Sequence, residues 1–278
     1  MSAGQRGVLA DLLALLDLER TGEDRFRGHS SNAAAGYRLF GGHVAAQSLA
    51  AAGRTIGIDR HPATIQCTFL RAGRPDEPLD FAVERVGDGR SFSFRRVLAT
   101  QRDKPIFSML ATFHTGDEAP GHSTPFAPVA PESLPEFTPQ VWTMVLGAFE
   151  VRRAASEPGT GSSTMALRTA GPMPDDPLLH ACVLAYASDL YILDTPLTRH
   201  GIVALDQGVD SASVDHAVWF HHRPKVDDWL VYDLVSPIGH DGRALIRGEL
   251  HTESGTLIAS VTQLAMLRVT TPRDGTND

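Results

Sequence analysis

The sequence predicts an α+β chain built from two similar halves, each a helix packed on one face of an antiparallel sheet. Three observations point there: a proline-dense stretch near the middle, the same order of helix and strands on either side of it, and no helices alternating with strands as a parallel sheet would require. Pro120, Pro125, Pro128, Pro131, Pro135 and Pro139 fall within residues 116–139, and a segment so rich in proline can be neither a helix nor a central strand. It reads as a linker, placing the halves at 1–115 and 151–278 with 116–150 between them.

In the first half Leu9, Leu12, Leu13 and Leu16 mark one face of an amphipathic helix. Phe40-Gly-Gly then leads into a helix expected to reach Ile58, on which Ala45, Leu49, Ala52 and Ile56 recur at helical spacing. Four strand-like runs follow at 64–71, 79–86, 91–100 and 105–115, and their separators, Gly-Asp-Gly at 87–89 and Gln-Arg-Asp-Lys at 101–104, are hairpin chemistry. The second half opens with a strand-like run at 163–170. A helix beginning at Asp175-Asp176-Pro177, with a carboxylate cap and proline in its first turn, is expected to run to about Ile192. Strands are then expected at 213–222, 229–236, 244–252 and 256–268, with Glu-Ser-Gly at 253–255 as a turn.

Composition excludes several classes. A chain of 278 residues, 42% hydrophobic, can bury a sizeable core, and its charge of −8 provides no basic field for nucleic acid or anionic lipid. Asp11 and Asp17 interrupt the N-terminal apolar run, which argues against a secretory signal and a membrane span. Cys67 and Cys182 lie in apolar stretches without metal spacing and read as reduced core thiols. A cytoplasmic protein is expected, and the final Asp-Gly-Thr-Asn-Asp is an ordinary polar tail.

Two polar residues stand out against this pattern. The helix from Pro177 is apolar nearly all round, yet Asp189 shares a face with Leu178, Cys182 and Ala185 near its end. Burial and the negative end of the helix dipole would both raise the pKa of such a carboxyl, which suits a general base. The alternative is a surface Asp that ends the helix or pairs with an arginine. Gln263 lies among Val261 and Ala265 on one face of the last strand, where its amide needs partners. The alternative there is an amide satisfied by backbone or exposed at an edge. The first-half helix carries no acid, so only one half can supply a base.

Several motifs give the chain a resemblance that spans nearly its whole length. They are Arg-Phe-Arg-Gly at 25–28, Leu-Phe-Gly-Gly-His-Val-Ala-Ala-Gln at 39–47, Phe-Leu-Arg-Ala-Gly at 69–73 and Asp-Gly-Arg-Ser-Phe-Ser-Phe-Arg-Arg-Val at 88–97 in the first half. The second half supplies Ala-Tyr-Ala-Ser-Asp-Leu at 185–190, Val-Asp-His-Ala-Val-Trp-Phe-His at 214–221, Asp-Trp-Leu-Val-Tyr at 228–232 and Gly-Arg-Ala-Leu-Ile-Arg-Gly-Glu at 242–249. In number, order and spacing these resemble the type II acyl-CoA thioesterases, the TesB-like family. The resemblance implies a double hotdog, two helix-wrapped antiparallel sheets fused in one chain, that hydrolyses acyl-CoA to free acid and CoA without a cofactor or metal. It also implies a water held by an Asp, a Thr and a Gln, which fall on Asp189, Ser213 and Gln263, with serine in place of threonine. His43 stands where the family commonly has glutamine.

Gly42 and His43, at the start of the first-half helix, are expected near the thioester, with the oxyanion donors sought among the amides of 41–43. Arg71 and Arg243 are candidates for the CoA phosphates. Direct attack by Asp189 to form an anhydride is a second route. A non-catalytic acyl-CoA-binding or sensing protein on the same fold is the competing function. Asp215-His216 would be a dyad only if neighbours on a strand faced the same way, so this pair is expected to shape the strand instead. Ser188 lacks the Gly-x-Ser-x-Gly setting of a nucleophile, and His221-His222 has no third metal ligand at suitable spacing. Acyl length and assembly into a homo-oligomer are left open by the sequence.

Overall fold

The computed structural model describes residues 3–30, 38–118, 120–127, 129–137, 147–154, 159–202 and 208–269, with side chains from Gly7 onward. The polar C-terminal tail and residues 119, 128 and 138–146 of the expected linker lie outside the described residues. In chain order the elements are α1 (Ala3–Leu16), β1 (Glu19–Gly22), β2 (Arg25–Gly28), α2 (Gly41–Gly53), β3 (His61–Phe69), β4 (Leu79–Asp88), β5 (Phe92–Gln101) and β6 (Lys104–His114). There follow β7 (Phe149–Arg153), β8 (Ser162–Thr169), α3 (Pro177–Ala187), α4 (Asp194–Thr198), β9 (Val209–Phe220), β10 (Leu230–His240), β11 (Arg243–Thr252) and β12 (Leu257–Val269).

The repeat is longer than the sequence suggested. Each half is a short antiparallel strand pair, a long helix and four strands: β1, β2, α2, β3–β6, and then β7, β8, α3, β9–β12. Strands β1, β2 and β7 escape sequence patterning because they are only 4 or 5 residues long, too short for a pattern of period two to declare itself. β7 also begins at Phe149, inside the expected linker.

All strand pairings are antiparallel, in the order β1-β2-β4-β5-β6-β3-β9-β12-β11-β10-β8-β7. Read outward from the middle, the two sides are mirror images of one another: β3, β6, β5, β4, β2, β1 against β9, β12, β11, β10, β8, β7. The two expected sheets therefore join edge to edge as one twelve-stranded sheet. The seam is β3 with β9, where Thr64 pairs with Trp219 and Thr68 with Asp215. This pairing removes two strand edges that would otherwise be open for aggregation.

The core lies between this sheet and its helices. Ala45, Ala46, Leu49, Ala51 and Ala52 of α2 and Ala181 to Ala187 of α3 are buried together with Ile65, Phe107, Val218 and Val261 of the strands. Small residues let the helices approach each other closely. A Cβ on Gly42, at the start of α2, would strike the Tyr186 carbonyl near the end of α3, and one on Gly53, at the end of α2, would strike Leu178 at the start of α3. The two helices thus run antiparallel, each amino end beside the other's carboxyl end. Leu9, Leu12 and Leu16 of α1 are buried, as their spacing predicts.

Candidate active site

The antiparallel helix pair makes the site. Asp176 caps α3 by accepting from the amides of Leu178 and Leu179, at 2.9 and 3.2 Å. The helix stops at Ala187 with Ser188 as its cap, earlier than the expected Ile192. Asp189 is therefore not on the apolar face of a helix but in the turn just beyond it. Two residues later Tyr191 adopts a left-handed backbone, φ 58°, a conformation that ends helices and that a non-glycine residue adopts only where its surroundings hold it.

Asp189 is only 8% exposed. Its Oδ2 accepts the Gly42 amide at 2.8 Å and its Oδ1 accepts the Ser213 hydroxyl at 3.2 Å. The sequence suggested the negative end of its own helix as a burden on this acid. The structure adds a counterweight from the other half, because the amino end of α2 points at the carboxylate and its Gly42 amide donates to it. Close approach depends on glycine: a Cβ on Gly41 would lie 2.6 Å from Oδ2 and 3.0 Å from the Phe69 ring. Burial pushes the Asp189 carboxyl up to about 7, against the pull of donors on Gly42, Ser213 and Gln263.

Gln263, fully buried on β12, donates from Nε2 to Ser213 Oγ at 3.0 Å. The three residues singled out for water activation, Asp189, Ser213 and Gln263, are thus brought together. On the far side of the amide, Gln263 Oε1 lies 2.6 Å from Nδ1 of His216, whose Nε2 lies 2.8 Å from Ser188 Oγ. Tyr232 donates to the Ser188 carbonyl at 2.8 Å. His216, Ser188 and Tyr232 were not singled out as members of the site by the sequence.

For His216 a bulge explains why. In β9 Asp215 pairs with Leu264 but Ser213 pairs with Ala265, so Val214 is an extra residue. Val214 and Asp215 both face outward, and Ser213 and His216 both face in, at a spacing of three that regular alternation forbids. Asp215 Oδ1 accepts the Leu264 amide at 2.9 Å, occupying a donor that the irregular ladder turns toward it. Asp215-His216 therefore shapes the strand, as expected, and its histidine also reaches the site. Asp215→Ala is expected to relax the bulge, turn Ser213 off Asp189 and lower turnover by ~10-fold, with a loss of ~1–2 kcal/mol in denaturant unfolding. Wild-type turnover would show that the bulge holds without its aspartate.

Of the other expected residues, Gly42 gives its amide to Asp189, and the His43 amide donates to the Phe40 carbonyl at 3.2 Å. Neither amide is therefore free as the oxyanion donor sought among residues 41–43, because the carboxylate and the first helical turn have claimed them. The His43 ring is buried edge-on to Tyr186, and burial pulls it down to about 4, so it is neutral. Arg71 and Arg243 are exposed; Arg71 donates to the Pro105 carbonyl at 2.7 Å and Arg243 lies 3.6 Å from Asp241. Ser188, His216 and Gln263 have the connectivity of a nucleophilic triad, but Ser188 is completely enclosed and the third member is a neutral amide. Among the described residues no cluster of His, Cys, Asp and Glu is arranged to hold a metal, and no helix is long and apolar enough to cross a membrane.

Residues 148–266 match the family described as acyl-CoA thioesterase, and residues 29–114 match the acyl-CoA thioesterase N-terminal domain. Human acyl-coenzyme A thioesterase 8 is 31% identical over 95% of this chain and 90% of its own length. The chain belongs to the acyl-CoA thioesterases. Acyl-CoA thioesterase 2 of Haemophilus influenzae is 30% identical, covering 94% of this chain and 98% of the relative. The crystal structure of acyl-CoA thioesterase II TesB2 from Mycobacterium marinum superposes with a TM-score of 0.82 at 37% identity, over 94% of this chain and 99% of that one. The double hotdog inferred from the motifs is the fold of this thioesterase, and its reaction is the hydrolysis of acyl-CoA thioesters.

Proposed function

We propose that Asp189 is the general base of this hydrolysis, acting on a water oriented by Ser213 and Gln263. The observation that carries this is a buried carboxyl held by donors from α2 and β9 and pushed up to about 7. A carboxyl so poised is ionised in part at neutral pH and is a stronger proton acceptor than an ordinary aspartate. The water's oxygen bonds to the thioester carbonyl carbon while its proton passes to Asp189. The tetrahedral adduct then collapses, breaking the C–S bond, and the proton on Asp189 is returned to the departing CoA sulfur. Near-complete enclosure, with both carboxylate oxygens already accepting hydrogen bonds, suits a group that takes a proton better than one that must bond to carbon. Arg71 and Arg243 remain the proposed contacts for the CoA phosphates.

The pH profile tests this reading. The base works only when ionised, so kcat/KM for acyl-CoA hydrolysis is expected to rise with pH along a one-proton limb centred near 7. A flat profile between pH 5 and 9 would assign the chemistry to another group.

A further inference from the structure

We propose that His216 is a positioning residue that fixes which way the Gln263 amide faces. This deepens the reading above and rests on Gln263 orienting the reacting water. An amide can sit in its slot two ways round, and only one of them turns its NH2 toward Ser213. Ser213 has a single hydroxyl proton, and it goes to Oδ1 of the ionised Asp189. Its oxygen must then accept, which requires the NH2 end of Gln263 on that side, where Nε2 stands at 3.0 Å. The carbonyl end therefore faces His216 Nδ1 at 2.6 Å, a contact that is attractive only if Nδ1 carries the proton.

The rest of the network accommodates that tautomer. With the proton on Nδ1, Nε2 accepts from the Ser188 hydroxyl at 2.8 Å, drawing its proton away from the Ala185 carbonyl, which lies 3.0 Å from the same oxygen. Ser188 is itself held through its carbonyl by the Tyr232 hydroxyl. Every donor then points the same way, Ser188 to His216 to Gln263 to Ser213 to Asp189, and the loop closes through the peptide bond between Ser188 and Asp189. His216 is 1% exposed and burial pulls it down to about 4, so the ring stays neutral across the working range. It is separated from the acid by Gln263 and Ser213 and is placed to touch neither water nor thioester.

Two substitutions separate positioning from packing. In His216→Asn the side-chain amide nitrogen stands two bonds from Cβ, where Nδ1 was, and can still donate to Gln263. In His216→Gln the added atom places it nearer the old Nε2, so the contact with Ser188 is kept and that with Gln263 is lost. Asn is expected to retain kcat within ~3-fold and Gln to lose ~10-fold or more, with KM little changed in both, the loss matching one hydrogen bond. In a Gln263→Ala background the same two exchanges should differ by less than ~2-fold, because the amide they act through is gone. If Gln matches or exceeds Asn, as side-chain volume alone would dictate, or if the difference persists in the Gln263→Ala background, the proposal is overturned. Should the Gln variant not fold, His216→Ala replaces it, and equal losses in Ala and Asn overturn the proposal too. Full activity in Gln263→Ala itself would instead remove Gln263 from the mechanism, and His216 with it.

Discussion

Asp189→Asn is expected to reduce kcat at least ~100-fold and at the same time to raise the melting temperature at pH 8. The first effect follows from removing the proton acceptor while keeping its shape. The second follows from linkage. The folded carboxyl is pushed up to about 7 from an ordinary 3.8. Below about pH 4 the group is protonated in both states and costs nothing. Between these values the folded chain holds a proton that the unfolded chain releases, so stability falls as pH rises, and above about 7 the full penalty is present. Its size is on the order of a few kcal/mol, since every tenfold change in proton affinity on folding corresponds to ~1.4 kcal/mol. Asparagine carries no charge to bury, so its melting temperature should exceed wild type clearly at pH 8 and hardly at pH 4. Activity within a few-fold of wild type would dismiss Asp189 as the base, and an unchanged melting temperature at both pH values would mean the acid is better solvated than its 8% exposure suggests.

Gly41→Ala is expected to come close to this in activity for a different reason. The added methyl would sit 2.6 Å from Asp189 Oδ2 and 3.0 Å from Phe69, whose ring is itself packed edge-on to Phe107 at 5.1 Å between centroids. The aromatic pair has little room to retreat, so the carboxylate must, and it leaves the Gly42 amide and Ser213 when it does. A ~30-fold or larger fall in kcat is expected, because displacements of about 1 Å at a positioned group cost ~100-fold. Since alanine favours helix over glycine by ~1 kcal/mol, stability should change little. The variant is therefore a test of geometry with the acid still present; unimpaired turnover would show that Asp189 can act without its bond to α2.

Much of this site was legible because it violates patterns that packing would impose. An acid closing the apolar run from Leu178 to Ala187, and an amide between Val261 and Ala265, have no place in a greasy interior unless something requires them. What stayed hidden depends on contacts distant in sequence. The opposed helix ends that set Gly42 against Asp189 arise from the chain's return path, and neither half's periodicity encodes the distance between them. The bulge at Val214 was equally invisible, because alternation predicts that Ser213 and His216 face apart. His216 thus appeared only as the partner of an aspartate that points the other way. The helix-then-four-strands order of each half was visible because those strands are 9 residues or longer with turn residues between them. Of the strand pairs ahead of each helix, β8 was visible at 163–170, whereas β1, β2 and β7, only 4 or 5 residues long, were too brief to show.

The amide that steadies the acid belongs to one half, the acid to the other, and β3 and β9 stitch the halves together between them. Turnover is consequently hostage to whichever half loosens first. On gradual addition of denaturant, catalysis should vanish with the earliest opening of either side, even where amide exchange reports the opposite side still closed.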